Sequence, residues 1–328
     1  MSNLSITMRH YQGESDLQKI VDLFNACERV DKLELFISTA QLYLALAAPG
    51  IDRERDLSLW EAPQGQLIGF SQLSIQEPAP GNLADGSLWF CVHPIVRGDE
   101  LEGQIISWAE SRMQEVGKER QGQPKLFTWS RNTRTERIAT IERYGFVESR
   151  QFLFLTQNLN KTINTPPLLS GFTIRAVNAE REAQAWVDLH NRCFENTWNY
   201  HPLTIESYKS RLQNPEYLPE LDLVANDINN KFVSICYGAI DREHNICVGR
   251  QEGWIALLFT HPDFQRRGLA RAMLLNGMQR LKALNIDIAK IGVDSENPFG
   301  ARKLYESVGF KHLYTNIAYV KCLRNQVI

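Results

Sequence analysis

The stretch that decides the fold lies in the second half of the chain, where residues 255–270 read IALLFTHPDFQRRGLA. An apolar, β-prone run ends at a proline, and from Gly268 the apolar positions recur at helical spacing. The segment therefore predicts a strand, a short loop and a helix. Such a junction exposes backbone N–H groups and a helix N-terminus, which together favour an anion, usually phosphate. Arg266, Arg267 and Arg271 place positive charge where the helix dipole disfavours it, which indicates an anionic partner.

A second motif follows at residues 293–310, which read VDSENPFGARKLYESVGF. The pattern predicts the end of a strand and then a helix from Pro298 to Val308. Asn297, just before that proline, is suited to cap the helix whether or not it binds a ligand. Tyr305 stands at a helical spacing, and core packing is the alternative interpretation of this side chain.

Together, the strand that ends in proline, Q-x-x-G-x-A and V-D-x-x-N-x-x-x-A-x-x-L-Y-E-x-x-G-F resemble the GNAT acetyltransferase superfamily. The resemblance covers residues 172–322, and the whole chain resembles in outline the tandem GNAT arrangement of mycothiol-synthase-like proteins. It implies an N-acetyltransferase that moves an acetyl group from acetyl-coenzyme A to a primary amine. The amine would attack the thioester directly, without a covalent enzyme intermediate.

The resemblance also implies which residues bind the cofactor and which act in the reaction. The pyrophosphate of acetyl-coenzyme A would lie on the loop and the first helical turn, formed by Gln265, Arg266, Arg267, Gly268, Leu269, Ala270 and Arg271. The pantetheine arm would bond the backbone of the preceding strand at Leu258, Phe259 and Thr260, with the Leu258 N–H as a donor to the thioester oxygen. Asn297 matches the family's asparagine near the pantetheine, and Tyr305 matches the tyrosine that protonates the departing thiolate.

The base that deprotonates the acceptor is less determined. Glu252 precedes the key strand, as acidic bases do in some members of the family, although a glutamate at a strand edge is often only solvated. His190, His201 and His261 are further candidates. A water relay also suffices in this family, so the motif does not require a base.

Repeated landmarks predict that the chain contains two copies of one unit. Four of them recur in the same order at offsets of 164 to 168 residues: 7–9 with 173–175, 66–68 with 231–233, His93-Pro94 with His261-Pro262, and Gly145-Phe146 with Gly309-Phe310. We therefore expect a first domain at 1–160, a proline-punctuated linker at 161–171 and a catalytic domain at 172–328. Strands and helices mix in each copy, which predicts an α/β or α+β unit with a mixed central sheet flanked by helices.

The first copy departs from the motif at its cofactor loop. Residues 97–102 read RGDELE, so acidic side chains stand where phosphate would bind, and Ile141 stands where the second copy has Tyr305. The first copy is therefore predicted to be a degenerate, non-catalytic GNAT-like domain that serves as a scaffold or as part of a substrate cleft. Its tryptophans, Trp60, Trp89, Trp108 and Trp129, are expected in the core.

Composition excludes several other classes of protein. The 328 residues include 36 basic and 38 acidic side chains, a net charge of -2, so there is no broad positive field for nucleic acid. No apolar run approaches the roughly 20 residues of a membrane span, and no signal peptide is visible at the N-terminus. Six scattered cysteines without a C-x-x-C pair predict reduced thiols in the cytoplasm and no metal.

The identity of the acceptor is open at this level. We expect a small-molecule or peptide amine, selected by residues 193–221, where Asn196, Trp198, Asn199, Tyr200 and His201 could line a cleft. The protein is expected to be a monomer or a homodimer. Two alternatives remain: a non-catalytic acyl-coenzyme A sensor or scaffold, and a transferase with a larger acyl donor or a peptide-like acceptor.

Overall fold

The computed structural model describes residues 6–98, 100–164 and 170–323. The chain divides into two compact units: unit 1 is Met1–Arg150 with Asn316–Ile328, and unit 2 is Gln151–Thr315. These bounds differ from the ranges expected from the repeat at two places. The strand that ends the first copy contributes its second half to unit 2, and the strand that ends the chain contributes its second half to unit 1. Asp99 and residues 165–169 of the expected linker lie outside the described residues.

Unit 1 has a mixed sheet in the order β1-β2-β3-β4-β5-β12. All neighbours are antiparallel except the parallel pair β4 and β5. Its strands are β1 (Thr7–His10), β2 (Leu57–Glu61), β3 (Leu67–Ile75), β4 (Ala84–Val92), β5 (Pro124–Arg131) and residues 316–322 of β12 (Lys311–Cys322). Its helices are α1 (Leu17–Asp31), α2 (Thr39–Leu46), α3 (Glu100–Glu119) and α4 (Thr135–Arg143).

Unit 2 repeats the arrangement with the sheet order β6-β11-β10-β9-β8-β7. Its parallel pair is β10 and β11, and its other neighbours are antiparallel. Its strands are residues 151–158 of β6 (Val147–Asn158), β7 (Thr173–Ala176), β8 (Asp222–Asn226), β9 (Phe232–Ala239), β10 (Glu252–Thr260) and β11 (Ile288–Asp294). Its helices are α5 (Ala179–Phe194), α6 (Ile205–Leu212), α7 (Arg242–Val248), α8 (Leu269–Ala283) and α9 (Ala301–Ser307).

The two units therefore share one topology, which confirms the predicted fold class. In unit 2 the sheet is buried on both faces, because consecutive residues of β8 enter different hydrophobic clusters: Leu223 on the side of α8 and Val224 on the side of α5. Helix α8 lies very close to the sheet at Gly277. A Cβ there would come within 2.6 Å of Cys236 Sγ, so only glycine allows this approach.

Several local expectations are corrected by the structure. Helix α9 starts at Ala301, and Gly300 with φ 74° is its N-cap, so Pro298 lies before the helix. In unit 1, Trp60 is buried, whereas Trp89 is 43% exposed and Trp129 is 37% exposed. The expectation that these two belong to the core is wrong. They lie on β4 and β5 beyond the last residues at which those strands pair with each other, where the sheet is open.

Candidate active site

The central feature of unit 2 is a gap between its two parallel strands. Strands β10 and β11 pair from Glu252 with Ile288 as far as Ile255 with Ile291, and no further. Both strands then continue, β10 to Thr260 and β11 to Asp294, each pairing only on its other side. The backbone groups that would have closed the ladder are left facing the gap.

A β-bulge in β10 causes the two strands to separate. Opposite β9, the register moves from Ile255–Gly238 to Leu257–Tyr237, so Ala256 is the extra residue. The bulge also shifts the alternation of side chains between the two faces of the sheet. Ile255 and Leu258 pack in the cluster with α8, while Leu257 packs in the cluster with α5. A bulge bends and twists its strand, which turns the second half of β10 away from β11.

Alternation along β10 fixes which backbone groups enter the gap. The His261 N–H donates to Val233 O at 2.9 Å, so the backbone groups of His261 and of Phe259 point to β9. Those of Leu258 and Thr260 then point to the opposite edge, into the gap. The Gln265 side chain donates to Thr260 O at 3.3 Å, in agreement with this direction. The Leu258 N–H and C=O thus offer a ladder edge to an extended ligand.

The loop after β10 presents its N–H groups through left-handed backbone. Arg266 has φ 59° and Gly268 has φ 78°, and successive residues in such alternating conformations form an anion-binding concavity. Gly268 is also the N-cap of α8, and no side chain caps this helix end. The first N–H groups of a helix have no acceptor within the helix, so those of Leu269, Ala270 and Arg271 are available to an anion.

The three arginines of this loop have different environments. Arg271 donates to Ser307 Oγ of α9 at 2.7 Å. Arg267 donates to Asp263 O at 3.0 Å, and its guanidinium carbon lies 5.1 Å from the centre of the Phe264 ring. Arg266 is exposed. None of the three pairs with a carboxylate among the described residues, so their charge is available to a ligand.

Asn297 lies in the turn between β11 and α9. Its Oδ1 accepts from the Phe299 N–H at 3.0 Å and from the Ala301 N–H at 3.3 Å. The Asn297 side-chain oxygen therefore does act as a cap. It caps the turn that precedes α9, however, and not a helix that starts with Pro298. The Asn297 amide nitrogen makes no hydrogen bond within the described ranges, and it can still donate to a ligand.

Tyr305 of α9 is 4% exposed and belongs to the hydrophobic cluster that contains Ile255 and Ile291. Its ring centre lies 6.2 Å from that of Phe310. Its phenol has no hydrogen-bond partner in the part of the chain that the structure describes. Burial, with a smaller contribution from Cys236, raises the pKa of Tyr305, so the group stays protonated and is able to donate a proton.

Glu252 lies at the far end of β10 from the loop. It is six residues from Leu258, or about 20 Å along a strand. Its carboxylate accepts from Arg250 Nε at 2.8 Å and from Lys290 Nζ, and His244 Nε2 lies 3.5 Å from Glu252 Oε2. Burial opposes ionisation, but the hydrogen bonds from Lys290 and Arg250 outweigh it and lower the pKa of Glu252. The structure does not bring this candidate base to the gap.

The histidine candidates differ in position. His190 of α5 packs edge-to-face on Phe259 of β10, with ring centres 5.6 Å apart, and burial lowers its pKa. Its Nδ1 contacts Asn191 Oδ1 at 3.2 Å. His261 follows β10 directly, and its Nδ1 accepts from the Asp263 N–H at 3.2 Å, so it shapes the loop. His201 lies in the α5–α6 connection.

The expected acceptor region is the α5–α6 segment. Asn191 of α5 binds the backbone of this connection: its side chain donates to Leu203 O at 3.0 Å and accepts from the Leu203 N–H at 2.9 Å. In the connection, Trp198 contacts Phe152 with ring centres 5.8 Å apart, and Asn199 takes a left-handed φ of 50°. Asn196, Tyr200 and His201 belong to the same connection. Sequence inspection gave no signal for Asn191 or for the bulge at Ala256.

Separated parallel strands beside an uncapped helix N-terminus and a buried phenol are features of an acyltransferase of the GNAT class. Residues 183–310 match the acetyltransferase (GNAT) family model. The chain therefore contains a GNAT acetyltransferase domain and is an acyltransferase, and enzymes of this class take acetyl-coenzyme A as donor. Within the described ranges no group of three or more histidine, cysteine or acidic side chains is arranged to hold a metal ion.

Two mycothiol acetyltransferases are similar to this chain over more than 90% of its length. A mycothiol acetyltransferase of Thermobispora bispora is 25% identical over 316 residues, which cover 96% of this chain and 99% of the relative. A mycothiol acetyltransferase of Streptomyces bingchenggensis is 24% identical, with 92% of each chain covered. The similarity therefore includes both units.

Solved structures share the fold at lower identity. A GCN5-related N-acetyltransferase from Sphaerobacter thermophilus superposes with a TM-score of 0.76 at 21% identity, covering 97% of this chain and 96% of that one. A tandem GNAT protein from the clavulanic acid biosynthesis pathway gives a TM-score of 0.67 at 11% identity, covering 98% and 99%. No helix of the described residues has the length and apolar character needed to cross a membrane.

Proposed function

We propose that the chain is an N-acetyltransferase that moves the acetyl group of acetyl-coenzyme A to the primary amine of a small molecule. The observation that carries the proposal is the open edge of β10 at Leu258: the strand leads into the anion-binding loop, and Leu258 packs against the same hydrophobic cluster as Tyr305. The names of the relatives support a small-molecule acceptor of the mycothiol type rather than a protein.

In this proposal the residues of the loop hold the donor. The N–H groups at Gly268, Leu269, Ala270 and Arg271 bind the pyrophosphate, and the charges of Arg266 and Arg267 complement it. The backbone of Leu258 and Thr260 extends the sheet to the pantetheine arm, with the side chain of Phe259 turned to α5. The Asn297 amide bonds the same arm. Arg271 also contacts Ser307, which keeps α9 beside the loop.

The reaction requires polarisation of the thioester and a proton for the leaving thiolate. The Leu258 N–H donates to the thioester oxygen as negative charge develops on it. The amine nitrogen forms the new bond to the acetyl carbon, the carbon–sulfur bond breaks, and the Tyr305 phenol gives its proton to the sulfur. The phenolate then regains a proton from solvent.

Deprotonation of the acceptor is assigned to His190, directly or through water. Its imidazole lies against Phe259 of β10, and its lowered pKa keeps it neutral and able to accept a proton. Glu252 has no part in this scheme, because its carboxylate is engaged by Lys290 and Arg250 at the other end of the strand.

Unit 1 is proposed to be non-catalytic. Ile141, at the position that corresponds to Tyr305, is fully buried and carries no proton to give. All six cysteines are free thiols, which supports a reducing compartment such as the cytoplasm. The protein is proposed to act as a monomer or homodimer.

The proposal is tested by incubating the full chain with acetyl-coenzyme A and a panel of small primary amines. We expect free coenzyme A and the N-acetylated amine in equal amounts, both detected by mass spectrometry. Binding of acetyl-coenzyme A without turnover of any amine would favour the sensor alternative. Turnover only with acylated donors of longer chain would favour the alternative of a larger acyl group.

A further inference from the structure

Unit 1 contains a cavity of about 870 Å³. It opens because β4 and β5 separate after Ser87 pairs with Phe127, while β4 continues to Val92 and β5 to Arg131. The walls are the second half of α1 with the segment that follows it as far as Ile37, the end of β4, the loop at Arg97, and α4. The cavity thus occupies in unit 1 the position that the gap between β10 and β11 occupies in unit 2.

Two of the arginines that line this cavity share one carboxylate. Arg97 donates to both oxygens of Asp31, at 2.7 and 2.9 Å, and Arg134 donates to the same carboxylate at 2.7 Å. Helix α3 has Glu100 and Glu102 in its first turn. In contrast to the loop arginines of unit 2, Arg97 and Arg134 are therefore both engaged by a carboxylate.

One cation inside the cavity lacks a counter-ion. Arg137 of α4 lies over the Phe90 ring, with its guanidinium carbon 4.0 Å from the ring centre. Its N–H groups reach only the carbonyl oxygens of Trp129 at 3.4 Å and Phe90 at 3.5 Å, both at the limit of a hydrogen bond. Burial and the neighbouring Arg134 lower the pKa of Arg137 to about 9, which leaves it charged at neutral pH. No carboxylate pairs with it among the described residues.

A carboxyl group in the same cavity also has an oxygen atom without a hydrogen-bond partner among the described residues. Glu102 is 8% exposed, and its Oε2 is buried without a hydrogen-bond partner in the described ranges. It lines the cavity with Arg137, yet the two side chains do not form an ion pair. Burial raises the pKa of Glu102.

Part of the remaining wall is apolar and accessible, beside polar lining residues such as Glu28 and Thr140. Trp89 is 43% exposed and packs on Phe24 with ring centres 4.8 Å apart, and Leu35 is 59% exposed. Exposed large apolar side chains that line a concave site are typical of a ligand pocket. The ligand that suits these walls has an apolar body and a single anionic end.

We propose that the cavity of unit 1 binds a small organic carboxylate, with its carboxylate on Arg137 and its apolar body against Trp89 and Leu35. A planar carboxylate matches the fork of a guanidinium. An uncharged ligand would leave the partly buried cation unpaired, and the polyphosphate of coenzyme A would find Arg97 and Arg134 already held by Asp31.

The test is a calorimetric titration of the full chain with hexanoate, phenylacetate and indole-3-acetate, each compared with its primary amide. We expect at least one carboxylate to bind at one site per chain and its amide not to bind. Arg137→Gln should weaken the binding at least tenfold, Arg137→Lys less, and the matched control Arg302→Gln in unit 2 should leave it unchanged. Saturating acetyl-coenzyme A should not displace the carboxylate.

Three results would overturn the proposal: no carboxylate in the set binds, the amide binds as well as its carboxylate, or Arg137→Gln binds like the unchanged protein. Displacement by acetyl-coenzyme A would also overturn it, since the cavity would then belong to the cofactor. Thermal unfolding of each variant checks that the fold is intact. Failure of this proposal leaves the acetyl transfer assigned to unit 2 unaffected.

A second, independent observation concerns two thiols of unit 1. The Sγ atoms of Cys27 on α1 and Cys91 on β4 lie 2.9 Å apart, and Cys27 also donates to Val92 O at 3.2 Å. The hydrogen bond from Cys91 and the nearby Arg97 lower the pKa of Cys27 against the effect of burial. Both residues line the cavity, which gives a small oxidant access to them.

We propose that hydrogen peroxide joins Cys27 and Cys91 in a reversible disulfide. The Cys27 thiolate attacks one peroxide oxygen to give a sulfenic acid and hydroxide, and the hydroxide takes up the proton that Cys27 released on ionisation to become water. The Cys91 thiol then attacks the sulfenic sulfur, and a second water leaves as the sulfur–sulfur bond forms. The two thiols lose two electrons and two protons in total, and the peroxide is reduced to two waters.

Peptide mapping of the peroxide-treated full chain without reductant tests this proposal. We expect a cross-linked pair of peptides that contain Cys27 and Cys91, absent from Cys27→Ser and Cys91→Ser, retained in the control Cys193→Ser, and lost on treatment with dithiothreitol. Oxygen addition to either cysteine without the cross-link would overturn the proposal, as would a cross-link between other cysteines.

Discussion

Ile255 and Ile291 form the last parallel pair between β10 and β11, and the gap proposed to hold the donor starts there. The extra residue Ala256 follows the pair directly and bends β10 away from its neighbour. One inserted residue therefore does two things: it frees the backbone of Leu258 and Thr260, and it keeps the side chain of Leu258 in the core. The site is a property of the strand register as much as of any side chain.

Replacing Tyr305 by phenylalanine separates proton donation from packing. The phenol has no hydrogen-bond partner within the described ranges, so the free energy of unfolding should change by less than about 1 kcal/mol. The rate of acetyl transfer at saturating substrates should fall by roughly a hundredfold. Initial rates and thermal unfolding of the two proteins measure these effects. Full activity in Tyr305→Phe would leave Tyr305 a packing residue only.

Gly268 tests the position of the pyrophosphate. Its φ of 78° suits glycine or asparagine, and a Cβ added there meets no heavy atom within 4 Å. Gly268→Asn should therefore keep affinity for acetyl-coenzyme A, while Gly268→Glu adds a carboxylate beside the phosphates and should raise the dissociation constant at least tenfold. Calorimetry on both variants makes the comparison. Unchanged affinity in Gly268→Glu would remove the cofactor from this loop.

Glu252 is expected to stabilise the fold rather than to act in the reaction. Glu252→Gln leaves the buried Lys290 without its carboxylate and should cost about 3–5 kcal/mol of unfolding free energy. The rate per folded molecule should be retained, and the exposed Glu243→Gln serves as the matched control. Denaturant unfolding combined with initial rates gives both quantities. A large loss of rate in a folded Glu252→Gln protein would contradict this role.

The lowered pKa of Glu252 predicts how the stability of the folded chain changes as the pH falls. Because the pKa of Glu252 is lowered in the folded chain, its contribution is complete above the usual glutamate pKa and is lost as pH falls through the lowered value. The stability difference between the unchanged protein and Glu252→Gln should therefore shrink on acidification below pH 4.5. A difference that grows in that range would have the wrong sign.

The proposed role of His190 as the base predicts how kcat/KM depends on pH on the acid side of the profile. Burial lowers its pKa from 6.5, so the neutral imidazole persists to lower pH and kcat/KM should decline only below pH 6.5. His190→Asn should lower kcat/KM and remove this limb, with the same amine used for both proteins. An unaltered limb in His190→Asn would assign the base to another residue or to water.

Sequence predicts the fold well where a periodic pattern and a motif coincide. The strand before Pro262, the helix after Gly268 and the strand that ends at Asp294 all lie where the motif pair indicates. The start of α9 was misplaced, because Asn297 accepts from the Phe299 and Ala301 N–H groups and delays the helix past Pro298. A side chain that caps a turn leaves no periodic pattern in the sequence, so the delayed start of α9 could not be predicted.

Long-range relationships account for the remaining differences. The repeat assigns residues 151–158 to the first copy, yet they pair with β11, and residues 316–322 pair with β5. Exchange of equivalent strands between similar copies leaves the local pattern of each strand unchanged, so inspection of the pattern cannot detect it. The burial of Glu252 is hidden for the same reason, since Lys290 lies 38 residues away.

Hydrogen–deuterium exchange with and without acetyl-coenzyme A tests most directly the claim that unit 2 holds the donor between β10 and β11. We predict slower exchange at residues 257–272 and 297–305, and no change at residues 88–98 of unit 1. Protection confined to residues 88–98 and the start of α4, with residues 257–272 unaffected, would contradict the account.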